Sequence, residues 1–176
     1  MPSTEFLLIR HAQSEWNAAG RWQGWADPPL SVAGCEQAAA VARELAGEAL
    51  DALVCSDLRR AVATAGAIGS ALDMRPVQDS RFRERDVGTW AGLTRDEIAA
   101  RDAEQLARFS RRDDPAVCPG GGESDNDLER RVRPAVEEWA DRYAGGRLAL
   151  VTHLGVVRLL APGSEPGHTG VTRVVL

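Results

Sequence analysis

Short apolar runs alternate along the chain with longer stretches in which apolar residues recur every three or four positions. Residues 6–9 (FLLI) form a continuous apolar run ahead of Arg10-His11 and predict a buried strand. Segment 17–29 is rich in Gly, Trp and Pro and reads as a loop. From 31 to 47, Ala38, Val41, Ala42 and Leu45 fall at helical spacing. A second short strand is expected at 52–55, then a helix to about residue 72 that Ser56 or Asp57 is placed to cap. Residues 75–77 suggest a brief third strand. Thr94 with Glu97 has the form of a capping box and opens a helix to about 109. A glycine-rich loop at 113–123 precedes Ser124, which caps a long amphipathic helix to about 143 with Leu128, Val132, Val136 and Trp139 on one face. A strong strand at 148–151, a short helix at 155–160, a turn-rich link at 163–170 and a last strand at 171–176 complete the pattern.

Strands alternating with helices predict an α/β fold, a doubly wound sheet with helices on both faces. No internal repeat, low-complexity tract or linker divides the 176 residues, so residues 1–176 are read as a single domain. In such sheets ligands bind beyond the carboxyl ends of the strands. Arg10-His11, the stretch 56–59 and His153 all fall at that position, so three basic groups are expected to converge on one crevice.

Composition narrows the chemistry. The formal net charge is −5, which argues against nucleic acid as the main partner. Every one of the 21 basic residues is Arg. A lysine Schiff base and a Walker lysine are therefore excluded, and an anion site must use Arg, His, backbone N–H groups or helix N-termini. Cys35, Cys55 and Cys118 show no CxxC spacing, so neither a metal site nor a disulfide framework is indicated. The apolar run near the N-terminus is too short for a signal-peptide core or a membrane span, and a cytoplasmic location with no membrane partner is the expectation.

LIRHAQSEWN, GRWQGWADPPLSVAG, SDLRRAVATA, RFRERDVGTWAGLT, GGGES and VTHLG, in that order, resemble the histidine phosphatase superfamily, also called the phosphoglycerate-mutase-like family. The resemblance runs from about residue 6 to 155. It implies a three-layer α/β/α fold with a mostly parallel sheet and an antiparallel edge strand. It also implies a metal-independent, cofactor-free phosphatase that hydrolyses a small phosphorylated metabolite through a phosphohistidine on His11. By resemblance Arg10, Arg59 and His153 belong to the phosphate pocket, and Glu84 is the acid/base carboxylate. Asn17, Gln23 and the Gly24 backbone are expected as neutral partners of the phosphate or its attached group. Physically, phosphoryl transfer needs a nucleophile in line with phosphorus and fixed positive charge around the oxygens. Nearby arginines would keep a nucleophilic imidazole neutral.

Of the adjacent arginines, Arg59 is expected in the pocket and Arg60 in solvent. His168 is expected as a solvated loop residue, and Arg111-Arg112 as a solvated pair or a contact to the non-transferred part of the substrate. Trp16, Trp22, Trp25 and Trp90 are expected mainly in packing, with Trp22 or Trp25 near the pocket mouth. Three features depart from the family pattern. Ala12 stands where Gly usually follows the first His, and strain is expected there if the position needs positive φ. Leu154 follows the second His in place of Gly, its N–H able to reach an anion and its side chain to narrow the pocket. Only 23 residues follow His153, compatible with a homodimer that covers the exposed face. A cofactor-dependent phosphoglycerate mutase and a non-catalytic binder of phosphorylated ligands are the alternative readings. Arg111-Arg112 points to the first, Ala12 and Leu154 to the second.

Overall fold

The computed structural model describes residues 2–176. Its five strands are β1 (Glu5–Arg10), β2 (Ala52–Cys55), β3 (Val77–Gln78), β4 (Arg147–Thr152) and β5 (Val171–Val175). They form one sheet in the order β3-β2-β4-β1-β5, parallel except for β5, which runs antiparallel along β1. The helices are α1 (Glu15–Ala18), α2 (Val32–Leu45), α3 (Arg59–Leu72), α4 (Arg95–Arg111), α5 (Asp125–Arg142) and α6 (Leu154–Leu160).

Between their end residues the central strands are apolar because both their faces are covered. Phe6 and Leu8 of β1, with Leu148 and Leu150 of β4, pack against Leu128, Val132 and Val136 of α5 and Val156 and Val157 of α6. Leu7 and Ile9, with Ala149 and Val151, pack against Val41, Ala42 and Leu45 of α2 and Ala61, Ala65 and Ile68 of α3. The three layers expected from the resemblance are therefore present. A satellite cluster of Val87, Trp90, Ile98 and Leu106 lies between α4 and the loops before it. Trp22 and Phe109 join Trp90 there in edge-on aromatic contacts, with ring centroids 5.4, 5.6 and 6.0 Å apart. Among the described residues no helix is long and apolar enough to cross a membrane.

Several element ends have causes the sequence pattern did not contain. Neither Ser56 nor Asp57 caps α3: its N-cap is Leu58, without a side-chain cap bond. Asp57 is engaged instead in two hydrogen bonds from Arg83 (2.6 and 2.7 Å). The free N–H of Arg59 finds its acceptor in the distant Asp27 carboxylate at 2.7 Å. The loop expected at 17–29 begins inside the one-turn α1, which takes Asn17 and Ala18 and is closed by a capping box between Ser14 and Asn17. Thr94/Glu97 and Ser124/Asp127 form the capping boxes of α4 and α5. The third strand is shorter than expected and exposed, at Val77–Gln78.

Candidate active site

Strand register builds the site. Arg10 pairs with Thr152 across β1 and β4, so the residues that follow, His11 and His153, leave the sheet side by side. The His11 N–H bonds to the Thr152 carbonyl (2.8 Å), and the Ser56 N–H to the Val151 carbonyl (3.0 Å). The ends of β1, β4 and β2 thus deliver His11, His153 and Ser56 to one place, as the switch-point rule requires. The His11 and His153 rings lie 5.0 Å apart, and both are buried.

A hydrogen bond to an acceptor-only group assigns the His11 proton. His11 Nδ1 is 2.7 Å from the Ala12 carbonyl, which can only accept. Nδ1 therefore carries the proton and Nε2 holds a free lone pair. His153 Nε2 is 2.8 Å from Ser56 Oγ. The Leu58 N–H donates to that hydroxyl (3.3 Å). Where Ser56 Oγ donates to Nε2, the His153 proton sits on Nδ1, which is buried without a partner. Burial, then the Arg60 charge, pushes the basicity of His11 well below the usual imidazole range. The same two causes, in the same order, act on His153. Both rings are therefore neutral at pH 7.

Arg10 donates to the Pro166 carbonyl at 3.0 Å, and its Nε is buried with no partner. Arg60, not Arg59, is the second arginine of the site. Arg60 is 1% exposed, while Arg59 faces solvent. Helix phase decides this. Arg60, Ala61, Thr64, Ala65 and Ile68 share the buried face of α3, and Arg59 lies outside that stripe. The signal was present in the sequence, since Arg60, Thr64 and Ile68 follow each other at intervals of four. The Arg60 fork donates to the Gly24 and Ala26 carbonyls (both 2.8 Å). Its Nε is unpartnered, and burial brings its pKa down to about 10, still charged at neutral pH.

A cleft of about 910 Å³ is lined among others by Arg10, His11, Arg60, Glu84 and Leu154, while His153, fully buried, is not among its lining residues. Glu84 accepts from the Arg85 N–H (2.8 Å) and the Gly155 N–H (3.3 Å). Its chain segment is held by Arg131 of α5, which donates to the carbonyls of Arg81, Arg83 and Glu84 (each 2.8 Å). Sequence reasoning missed Arg131, because nothing local marks which of several α5 arginines turns inward. Asn17, Gln23 and Gly24 also line the cleft. The Asn17 carbonyl oxygen is already used by the Ser14 cap, and the Gln23 carbonyl oxygen accepts from Ser14 Oγ (2.7 Å). Gly24 has φ +50, and a Cβ there would strike Val87.

The departures at Ala12 and Leu154 are accommodated. Ala12 is not among the described non-glycine residues with positive φ, which are Asp73, Arg112 and Thr169. Its N–H is fixed by Thr64 Oγ1 at 3.0 Å. Leu154 is the first residue of α6 and lines the cleft. Trp22 lines the cleft, whereas Trp25 bonds through Nε1 to the Glu84 carbonyl (2.7 Å) under the Arg83 guanidinium. Arg112 lines the cleft and lies 3.5 Å from Glu165, whereas Arg111 is exposed beside Asp113. His168 corrects the expectation of a solvated loop residue: it is half-buried, with its ring 5.9 Å from that of His11.

Residues 6–164 match the profile of the Histidine phosphatase superfamily (branch 1). A glucosyl-3-phosphoglycerate phosphatase from Mycolicibacterium vanbaalenii is 39% identical over 161 residues, spanning 88% of this chain and 71% of that protein. A metal-independent phosphoserine phosphatase from Arabidopsis thaliana is 37% identical over 159 residues, spanning 89% and 67%. Among solved structures, a mycobacterial glucosyl-3-phosphoglycerate phosphatase in complex with VO3 superposes with a TM-score of 0.88 at 33% identity, covering 96% of this chain and 90% of that one.

Proposed function

The chain belongs to branch 1 of the histidine phosphatase superfamily, and from that premise we propose that it hydrolyses a small phosphomonoester through a phosphohistidine on His11 Nε2. The observation that carries this reading is the neutral, proton-assigned His11: Nδ1 is tied to the Ala12 carbonyl, and Nε2 is left as the nucleophile. The relatives' names point to small phosphorylated compounds as substrates, which suits a cleft much larger than a phosphate group.

In the first step Nε2 bonds to phosphorus and the ester P–O bond breaks. The leaving alkoxide takes a proton from the Glu84 carboxyl group. In the second step water attacks the phosphohistidine, Glu84 takes the water proton, and the P–N bond breaks to release inorganic phosphate. Charge on the phosphoryl oxygens is met by the unpartnered Nε–H groups of Arg10 and Arg60 and by the Nδ1–H of His153. All three are buried polar atoms that the folded chain leaves without a partner, and an anion held among them would pair them. The Ala12 carbonyl stabilises the positive ring that forms when His11 attacks. Leu154 contributes an apolar wall beside the non-transferred group.

The test is release of p-nitrophenol from p-nitrophenyl phosphate in EDTA. Wild type is expected to be active, and His11→Ala inactive. Glu84→Gln is expected to lose roughly 100- to 10,000-fold in turnover, the range for a positioned acid/base, and to accumulate acid-labile, base-stable phosphoprotein. Equal activity of wild type and His11→Ala would overturn the reading.

A further inference from the structure

The third histidine of the chain lies outside every motif of the resemblance, yet it is packed against the proposed nucleophile. It sits in the turn between α6 and β5, which is laced to the end of β1. The Thr169 N–H donates to the Arg10 carbonyl (2.9 Å) and the Arg10 N–H to the Gly170 carbonyl (3.2 Å). The Arg10 guanidinium donates to the Pro166 carbonyl (3.0 Å). These bonds extend the β1–β5 ladder by one step and bring His168 beside His11. His168 Nδ1 is 3.3 Å from the His11 carbonyl, which can only accept, so the proton lies on Nδ1. The two rings are 5.9 Å apart at 48°.

The turn holds this position against backbone strain. Thr169 adopts φ +59, a left-handed conformation that a β-branched residue resists. Such strain persists only where surrounding bonds over-determine it. Here the Thr169 hydroxyl donates to the His168 carbonyl (2.7 Å), and the Gly170 N–H closes the turn on Gly167 (3.0 Å). Relaxing Thr169 would move His168 away from His11.

We propose that His168 is a positioning residue for this reaction: its Nδ1–H holds the His11 backbone, so that Nε2 stays in line with phosphorus. This rests on His11 being the nucleophile. His168 meets His11 at its backbone carbonyl and its ring, so its role is on His11 and not on the substrate. In-line attack is intolerant of displacement, and a shift of about 1 Å typically costs on the order of 100-fold.

Two amide substitutions test this. His168→Asn places an amide N–H where Nδ1 stands; His168→Gln places it beyond, where it no longer meets the His11 carbonyl. Both keep the turn polar. With p-nitrophenyl phosphate, His168→Gln is expected to lose about 10- to 100-fold in kcat, with KM and inhibition by inorganic phosphate changed less than about twofold. Rapid-quench phosphohistidine formation should slow by the same factor, and His168→Asn should recover most of it at an unchanged melting temperature. Full activity of His168→Gln would overturn the proposal. So would failure of His168→Asn to recover, or a loss carried by KM and phosphate affinity. His11→Ala assayed alongside separates the two claims, because activity there would sink the nucleophile assignment itself.

Discussion

Replacing Arg60 by Ala, beside a matching Arg59→Ala control, is the sharpest test of how the site is built. Arg60 does two things at once. It holds the Gly24 and Ala26 carbonyls, and it supplies charge next to His11 and His153. Loss of its two charge-assisted bonds leaves two carbonyls to find water, at about 1–3 kcal/mol each where they stay buried. Removing one preorganised donor from a developing phosphoryl charge costs about 2.7–4 kcal/mol, or 100- to 1000-fold in rate. Arg60→Ala should therefore lower kcat/KM for p-nitrophenyl phosphate by at least 100-fold and shift the urea midpoint down. Its charge also helps keep both imidazoles neutral. Without it, the acid limb of the pH–rate profile should move to higher pH, since the rings protonate more readily. Arg59→Ala should stay within about twofold of wild type, because Arg59 is exposed and its contact to Asp27 is made by the backbone N–H. A 100-fold loss in Arg59→Ala with retained activity in Arg60→Ala would refute the helix phase and the site built on it.

Two further outcomes are expected. A Cβ on Gly155 would run into the Glu84 carboxylate, so Gly155→Ala should displace that group and lower kcat by about 10- to 100-fold, with little change in melting temperature because the carboxylate tip can swing away. Full turnover in that variant would show that Glu84 does not act from its observed position. Acidification should destabilise the fold between pH 6.5 and 5. The folded pKa values of His11 and His153 are depressed, so the unfolded chain binds more protons in this window and stability falls as pH falls. The slope is up to about 1.4 kcal/mol per pH unit for each histidine. His153→Gln should remove one such contribution in urea titrations at pH 7, 6 and 5, and an unchanged slope would mean that His153 is already protonated in the folded protein.

The alternation of apolar runs with amphipathic stretches was enough to place every helix that covers the sheet and its four main strands, because burial on both faces forces that pattern on a parallel sheet. The capping box at Thr94 and the cap at Ser124 were equally legible, being local geometry written in a few consecutive residues. The ordered motifs identified the family and put Arg10, His11, Glu84 and His153 into one site. Tertiary structure alone decided the rest, since each remaining feature depends on residues far apart in the chain. The register of β1 on β4 sets His11 beside His153. The ladder from β1 to β5 brings His168 to His11, although its Gly/Pro-rich surroundings read as a solvated turn. Asp27, 32 residues away, serves α3 where a neighbouring Ser or Asp was expected to. The choice between Arg59 and Arg60 lay between these limits. Its periodicity was in the sequence, but it became decisive only once the packed face of α3 showed which arginine the helix turns toward the buried imidazoles.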